Sequence, residues 1–146
     1  MEFITKNAEE TEEIGKKLAS LLEDKNIKRA FIAMRGEMGV GKTAFTRGFA
    51  SHFGISGVKS PTYTIVNEHR ARASLFHFDM YRIESEDDLV SIGFDDYLLR
   101  DGYIIAEWSE NVEDFIPSDA IYVTISRSEN SFDERIITID FSNGDF

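Results

Sequence analysis

The stretch Gly36-Glu37-Met38-Gly39-Val40-Gly41-Lys42-Thr43 determines how the rest of the chain can be arranged. It fits the pattern of a phosphate-binding loop, in which four residues separate the first glycine from a Gly-Lys-Thr triplet. Such a loop points successive backbone N–H groups at phosphate oxygens, and the positive end of the following helix adds to the attraction. We expect Lys42 to contact the β- and γ-phosphates and Thr43 to offer its hydroxyl to the accompanying magnesium ion.

The residues on both sides of this loop favour the secondary structure that it needs. Residues 29–35 form a short apolar run of strand length. From Lys42 to His52 a helix is predicted, because Phe45, Phe49 and Phe53 recur at four-residue spacing and would form one buried stripe. A glycine-rich turn that binds nothing would need neither the lysine nor the threonine, so the phosphate-binding interpretation is favoured.

Length and composition indicate one globular unit. The chain has 146 residues, of which 42% are hydrophobic and 29% charged, so we expect residues 1–146 to form a single domain. There is no apolar run long enough to cross a bilayer, and residues 1–5 lack the features of a secretory signal. These observations, together with the absence of cysteine, predict a cytoplasmic protein with no membrane partner.

The charge of the chain argues against direct binding to nucleic acid. Its formal net charge is −11, whereas affinity for a phosphate backbone comes from clustered lysine and arginine. An acidic protein that binds a nucleotide needs local positive charge and a metal ion to overcome repulsion. Lys42 and magnesium would supply both.

The remaining pattern predicts an α/β fold with a mixed sheet. A helix is expected from Ala8 to about Lys25, with Asn7 and Glu10 as a cap pair. Two strands separated by a short connection predict an antiparallel hairpin. Further along, the expected elements are a helix capped by Ser85 and ending near Ile92, a short helix 94–99, a strand 103–108, a brief helix from Ser109 to Pro117, and a hairpin of 120–126 with 135–141. The first hairpin is formed by residues 62–68 and 74–81. We therefore expect a P-loop NTPase-like three-layer α/β/α arrangement with a mixed central sheet.

Two carboxylates follow apolar strands and are candidates for the magnesium shell. Asp79 and Glu107 each stand at or near the end of such a strand, and the sequence leaves open which of them contacts the ion. Thr62 is the preferred sensor of the γ-phosphate, although threonine also suits an ordinary strand. His77 is interpreted as structural, and Trp108 either as core or as an aromatic residue beside the site that moves when a partner docks.

The order of the motifs resembles one family, the TsaE (also YjeE) P-loop ATPases of bacterial tRNA threonylcarbamoyladenosine biosynthesis. The resemblance covers nearly the whole chain. Besides the loop itself, it rests on Thr11-x-x-Ile14-Gly15-x-x-Leu18-Ala19, Thr46-Arg47-Gly48, Ser60-Pro61-Thr62-Tyr63-Thr64, His77-Phe78-Asp79-Met80-Tyr81-Arg82 and Glu107-Trp108-Ser109-Glu110. Met38, Val40 and Met80 depart mildly from the usual residues of the family, and the loop acts mainly through its backbone.

The resemblance implies an activity that composition does not show. A single P-loop ATPase domain would bind ATP or ADP with Mg²⁺ and hydrolyse ATP slowly by itself. It would act on a complex of TsaD-like and TsaB-like subunits, and these partners would stimulate the hydrolysis. That complex, and not this chain, would transfer a threonylcarbamoyl group to adenosine 37 of tRNAs that read ANN codons. Contact with tRNA would be indirect, through the complex.

The resemblance also assigns roles to residues of this chain. Lys42, Thr62, Asp79 and Glu107 are the candidate catalytic residues, and Thr43 and Glu107 the candidate metal ligands, with Asp79 ordering water or the metal shell. Thr11 would lie near the adenine. The candidate nucleotide-binding residues are Glu37, Met38, Gly39, Val40, Gly41, Lys42, Thr43 and Thr11.

Other functions are compatible with the loop alone. A small-molecule kinase uses the same loop but normally needs a lid, and the chain has no arginine-rich lid segment. A non-hydrolytic module could use the nucleotide only to order a docking surface. A GTPase is less favoured, because the chain has no Asn-Lys-x-Asp run for guanine.

Overall fold

The computed structural model describes residues 1–37, 39–59 and 65–142. Within these ranges the chain forms strands, α-helices and one 3₁₀ helix. The strands are β1 (Glu2–Thr5), β2 (Arg29–Arg35), β3 (Val66–Arg70), β4 (Ser74–Asp79), β5 (Gly102–Glu107), β6 (Ile121–Arg127) and β7 (Arg135–Phe141). The helices are α1 (Ala8–Asp24), α2 (Lys42–His52), α3 (Glu86–Ser91), α4 (Phe94–Leu99) and the 3₁₀ helix (Ser109–Phe115).

The described strands form one mixed sheet in the order β1-β7-β6-β2-β5-β4-β3. Strand β2 pairs in parallel with β5 and β6, and β4 pairs in parallel with β5. Strands β3, β7 and β1 are antiparallel to their neighbours. The carboxyl ends of the parallel strands meet at one edge, which is where α/β sheets bind ligands. The predicted α/β fold with a mixed sheet is confirmed.

The helices cover both faces of the sheet, so the structure has three layers. Side chains alternate along β2: Ile32 and Met34 join the core beneath α1 and α2, whereas Phe31 and Ala33 join the core beneath α3, α4 and the 3₁₀ helix. Every residue of β5 is buried, as expected for a central strand covered on both faces. Because successive side chains of a strand point to opposite faces, a few apolar strands supply both cores of the three-layer arrangement.

Two glycines allow α1 and α2 to pack backbone against backbone. A Cβ atom on Gly48 would lie 2.6 Å from the Cα of Glu12, and one on Gly15 would lie 2.9 Å from the backbone nitrogen of Phe49. Side chains cannot be accommodated at such distances, so glycine is required at both positions. This contact fixes the position of α2 and therefore of the loop that precedes it.

Most of the predicted elements are confirmed. Helix α1 begins with the expected cap pair, because the Asn7 side chain accepts a hydrogen bond from the Glu10 backbone at 2.8 Å. The carboxylate of Glu10 in turn accepts one from the Lys6 backbone at 2.9 Å. Both predicted hairpins are present, as β3 with β4 and β6 with β7. The first hairpin begins at Val66, and residues 60–64 lie outside the described residues.

The structure differs from the sequence prediction in several details. The strand predicted over residues 74–81 ends at Asp79. Strand β5 ends at Glu107, because Trp108 adopts a left-handed backbone conformation with φ of 57°. Ser85 is the N-cap of α3, as predicted, but its side chain makes no capping hydrogen bond. The predicted brief helix begins at Ser109, but it is a 3₁₀ helix and ends at Phe115. Strand β1 was not predicted. It is a four-residue edge strand that pairs with β7, and so short a segment carries little signal of its own.

Across the described ranges, no helix has both the length and the apolar character needed to cross a membrane.

We predict that Gly48→Ala destabilises the protein by about 3 kcal/mol, because the added methyl group would force α1 and α2 apart. The free energy of unfolding measured in urea would report the loss. Lys16→Ala, on the exposed face of α1, is the control and should change stability by less than about 0.5 kcal/mol. A Gly48→Ala protein as stable as the unaltered chain would show that the two backbones are not in contact.

Candidate nucleotide-binding site

The predicted phosphate-binding loop lies between the end of β2 and the start of α2. Gly36, Gly39 and Gly41 have φ angles of 148°, 75° and 116°, which side-chain-bearing residues rarely adopt. Gly41 is the N-terminal cap of α2 and offers no side chain to its first backbone N–H groups. Those groups are the ones that bind anions at a helix N-terminus. Met38 lies outside the described residues, so its predicted role is not addressed.

The loop is anchored on one side and open on the other. A Cβ on Gly36 would lie 2.5 Å from the Ile125 carbonyl of β6, and the Val40 side chain is buried in the core. In contrast, among the described residues a Cβ on Gly39 would meet only Arg127, at 3.8 Å, and one on Gly41 only the methyl group of Thr11, at 3.9 Å. Glu37 is exposed. On the open side, the concave backbone of the loop is accessible to a phosphate group.

Lys42 is held across the loop in a buried position. The residue is only 6% exposed, and its Nζ donates a hydrogen bond to the Gly36 carbonyl at 2.8 Å. The same Nζ stands 4.6 Å from the centre of the Trp108 ring, a favourable cation–π distance. Thr43 follows in the first turn of α2 and is half-buried. The two residues predicted to contact phosphate and magnesium are therefore adjacent on one helix end.

The two predicted carboxylates lie side by side at the ends of neighbouring parallel strands. Asp79 of β4 is the register partner of Glu107 of β5. They share the α2 face of the sheet, because Leu75 and Ile105, at alternate positions of the same strands, belong to the core on that face. Asp79 is half-buried and its Oδ1 accepts a hydrogen bond from the Tyr81 backbone at 3.0 Å. Glu107 is 7% exposed.

His77, which sequence analysis left out of the chemistry, contacts one of these carboxylates. Its Nε2 donates a hydrogen bond to Oε2 of Glu107 at 2.9 Å. His77 is fully buried, and its Nδ1 has no hydrogen-bond partner among the described residues. Nearby, burial lowers the pKa of His69, and the charge of His77 lowers it further. The spacing of His77 and Asp79 along one strand was the available signal, since alternate residues share a face.

A strained turn positions Trp108 against Lys42. A left-handed conformation of a bulky residue costs about 1–3 kcal/mol and persists only where neighbouring contacts enforce it. Two hydrogen bonds hold the residues on either side of Trp108. The Met80 backbone N–H donates to the Glu107 carbonyl at 2.9 Å, and Ser109 Oγ donates to the Met34 carbonyl at 3.1 Å. The ring of Tyr81 packs against Trp108, with 5.1 Å between the ring centres. Trp108 packs against the core beneath α3 and α4 and also faces Lys42, so neither interpretation is excluded, and movement on docking stays a prediction.

A cavity of about 480 Å³ opens next to the loop, between the start of α1 and the β6–β7 hairpin. Thr11 lines this cavity, but its hydroxyl is taken up by a 2.8 Å hydrogen bond with Thr5, so it presents mainly its methyl group. Arg135 also lines it and donates from Nε to the Val40 carbonyl of the loop at 2.9 Å. Sequence reasoning missed Arg135, because 95 residues separate it from Val40.

The opposite edge of the sheet carries another cavity, of about 340 Å³, lined partly by Phe53, Tyr103 and Arg72. Two of its charged groups pair, because Glu23 contacts Arg72 at 3.0 Å; Glu23 also contacts His52, outside the lining, at 2.9 Å. The hydrogen bond from His52 lowers the pKa of Glu23; desolvation opposes this shift, and the hydrogen bond and charge of Arg72 add to it. This edge lies far along the strands from the loop and contains none of the predicted site residues.

The fold and this site define a P-loop nucleotide-binding protein. The model of the family described as "Threonylcarbamoyl adenosine biosynthesis protein TsaE" matches residues 5–137. The chain therefore belongs to the TsaE family.

Relatives in other bacteria agree with this assignment. A Bacillus subtilis protein named tRNA threonylcarbamoyladenosine biosynthesis protein TsaE is 35% identical over 140 residues, covering 94% of this chain and 84% of its own. The Haemophilus influenzae protein of the same name is 36% identical over 126 residues, covering 84% of this chain and 80% of its own. The crystal structure of Bacillus subtilis YdiB superposes with a TM-score of 0.79 at 30% identity, covering 97% of this chain and 85% of that one.

We predict that nucleotide binding changes the fluorescence of Trp108, the single tryptophan of the chain. A bound phosphate would compete for the Lys42 ammonium group and draw it away from the ring. Titration of the protein with nucleotide, followed by intrinsic fluorescence, would measure the change. Lys42→Met is the control and should show no response. Binding detected by calorimetry without any fluorescence change would show that Lys42 stays on the ring.

Proposed function

We propose that this protein binds and slowly hydrolyses ATP, and that it acts on the transferase complex that forms threonylcarbamoyladenosine in tRNA without itself being the transferase. The observation that carries the proposal is the buried Lys42 held across an open glycine loop in a chain of the TsaE family. Relatives of the chain are named tRNA threonylcarbamoyladenosine biosynthesis proteins. A loop built for phosphate and a family defined by tRNA modification together favour this role.

The triphosphate would occupy the open side of the loop. Backbone N–H groups of residues 37–43 would face the phosphates, and Lys42 would exchange its hydrogen bond with the Gly36 carbonyl for one with a phosphate oxygen. The base would enter the cavity beside Thr11, where Arg135 holds the Val40 carbonyl and so stabilises the shape of the loop. ATP is preferred over GTP because the sequence has no guanine-recognition run.

The residues beside the loop fit a magnesium ion bound together with phosphate. In the described ranges, no three His, Cys, Asp or Glu side chains form a ready metal cage. Magnesium commonly takes only one or two carboxylates and completes its shell with water and phosphate oxygens, and Thr43, Glu107 and Asp79 are hard oxygen donors of that kind. Thr43 and Glu107 would hold the ion, and Asp79 would order water around it. When bound, the ion would neutralise charge on the phosphates.

Hydrolysis requires that a water molecule be oriented toward the γ-phosphate. We assign this task to the carboxylates at the ends of β4 and β5. The hydrogen bond from His77 fixes the rotation of the Glu107 carboxylate, so His77 acts as a positioning residue. Thr62 remains the predicted γ-phosphate sensor, and it lies outside the described residues.

Partners follow from the same proposal. TsaD-like and TsaB-like subunits would carry out the transfer and contact tRNA, since this chain, with a net charge of −11, is unsuited to bind RNA by itself. Residues 1–146 would act as one P-loop ATPase domain in the cytoplasm.

Lys42→Ala tests the assignment as a whole. The substitution removes a charged donor to phosphate, so we expect nucleotide affinity to fall about 10- to 100-fold. Calorimetry with ATP and magnesium would measure this loss, and nucleoside analysis of tRNA from cells that depend on the variant would show a parallel loss of threonylcarbamoyladenosine. Lys16→Ala is the control and should preserve both. Normal modification in the Lys42→Ala strain would refute the proposed role.

Glu107→Gln separates hydrolysis from binding. The variant keeps the size of the side chain but removes its charge, so ATP turnover should fall about 100-fold or more while ATP affinity changes only a few-fold. Glu110→Gln, at an exposed acid three residues away, is the matched control. Turnover equal to that of the unaltered protein would remove Glu107 from the mechanism. Normal tRNA modification without turnover would favour the non-hydrolytic docking module instead.

A further inference from the structure

Almost all of the net charge of the chain lies in one segment. Residues 84–116 contain eleven acidic side chains and one arginine, a net charge of −10. The rest of the chain has 16 acidic and 15 basic residues and is nearly neutral. The segment comprises α3, α4, β5 and the 3₁₀ helix, so most of its acids lie on the helical layer away from α1 and α2. We call the outer surface of α3, α4 and the 3₁₀ helix the acidic face.

The acids of this face are largely left without basic partners. On α3 and α4, no acidic side chain forms an ion pair with a basic side chain in the described ranges; on the 3₁₀ helix, Glu113 pairs with Arg35. Like charges so close together repel each other, and among the described residues the Arg35–Glu113 pair is the one ion pair on this face that offsets the repulsion. An external surface of opposite charge would relieve this repulsion.

An apolar groove lies within the acidic face. Val90 is 69% exposed and Phe115 is 38% exposed, and they flank a small cavity of about 40 Å³ between α3, α4 and the 3₁₀ helix. Leu89 and Phe94 form its buried floor, and Glu86 and Asp95 stand at its rim. A pocket of this volume accommodates little more than a single small apolar group. Apolar contact at the centre with charge at the rim is the usual anatomy of a protein interface.

We propose that the acidic face binds a protein partner whose surface presents Lys and Arg side chains around one apolar anchor. Charge complementarity selects this occupant: RNA would be repelled, and a second copy of the chain carries the same net charge of −11. The inference rests on the proposed function, under which the partner is a subunit of the transferase complex. The inference specifies the surface of this chain to which that subunit docks. It also specifies that the subunit carries a basic patch around an apolar side chain.

The acidic face is connected directly to the nucleotide-binding site. Asn111 of the 3₁₀ helix donates to the carbonyls of Met80 and Tyr81, both at 3.1 Å, just beyond Asp79. Glu113 pairs with Arg35 at 2.5 Å, at the end of β2 where the loop begins. A partner that fixes the 3₁₀ helix would therefore also constrain both strand ends that carry the site. Binding of the partner and of nucleotide should then be coupled, each changing the affinity for the other equally.

The test compares charge reversal on the acidic face with the same change on the other layer. Glu86→Lys/Asp95→Lys should weaken binding to the purified transferase subunits at least about tenfold and reduce its salt dependence. It should also lose partner-stimulated ATP turnover while keeping basal turnover. Val90→Ser, which removes the apolar anchor contact, should weaken binding several-fold with unchanged salt dependence. The control, Glu9→Lys/Glu13→Lys on α1, makes an equal charge change at exposed acids and should bind within about twofold of the unaltered chain.

The outcomes separate this inference from the proposed function. If the unaltered protein binds the transferase subunits and Glu86→Lys/Asp95→Lys binds them equally well, the acidic face is not the docking surface and the proposed function stands. If binding fails for the unaltered protein as well, both are overturned. Unchanged nucleotide affinity in each variant establishes that it is folded.

Discussion

The structure depends on a buried positive charge that is not neutralised by a carboxylate. The Lys42 ammonium group meets the carbonyl of Gly36 and the face of Trp108, and among the described residues it takes part in no ion pair. Removing a charge from water without a full partner is unfavourable by several kcal/mol. A bound phosphate group would supply the missing negative charge, so the binding of an anion here would be favourable. The glycine contact between α1 and α2 and the strained turn at Trp108 both serve to hold this arrangement.

The register of the parallel strands brings the remaining groups to the same place. Because β2, β5 and β4 are adjacent and parallel, their carboxyl ends deliver the loop, Glu107 and Asp79 to one edge of the sheet. His77 lies two residues before Asp79 on the same face of β4, and its side chain contacts Glu107 on the neighbouring strand. The Glu107 carboxylate is buried, and apolar neighbours could not donate a hydrogen bond to it. The hydrogen bond from His77 satisfies one of its oxygens. The site is thus a consequence of strand order.

The two helical layers carry different features of the molecule. The layer of α1 and α2 carries the loop and the cavity beside it, and its packing leaves no room for change at Gly15 and Gly48. The layer of α3, α4 and the 3₁₀ helix carries most of the negative charge and exposes apolar side chains. Asn111 and Glu113 link the second layer to the strand ends of the first. Through these links, a partner bound to the second layer would constrain the strand ends that carry the site.

The sequence by itself determined the phosphate-binding loop, the helices on either side of it and the two hairpins, because each of these depends on spacing within a short segment. It also predicted that Asp79 and Glu107 stand at strand ends, since a carboxylate at the end of an apolar run is a local feature, and the structure confirms that position. Only the tertiary structure decided that His77 contacts Glu107, that Arg135 holds the loop and that β1 joins the sheet. These contacts join residues far apart along the chain, and they exist only after strand pairing has set the register.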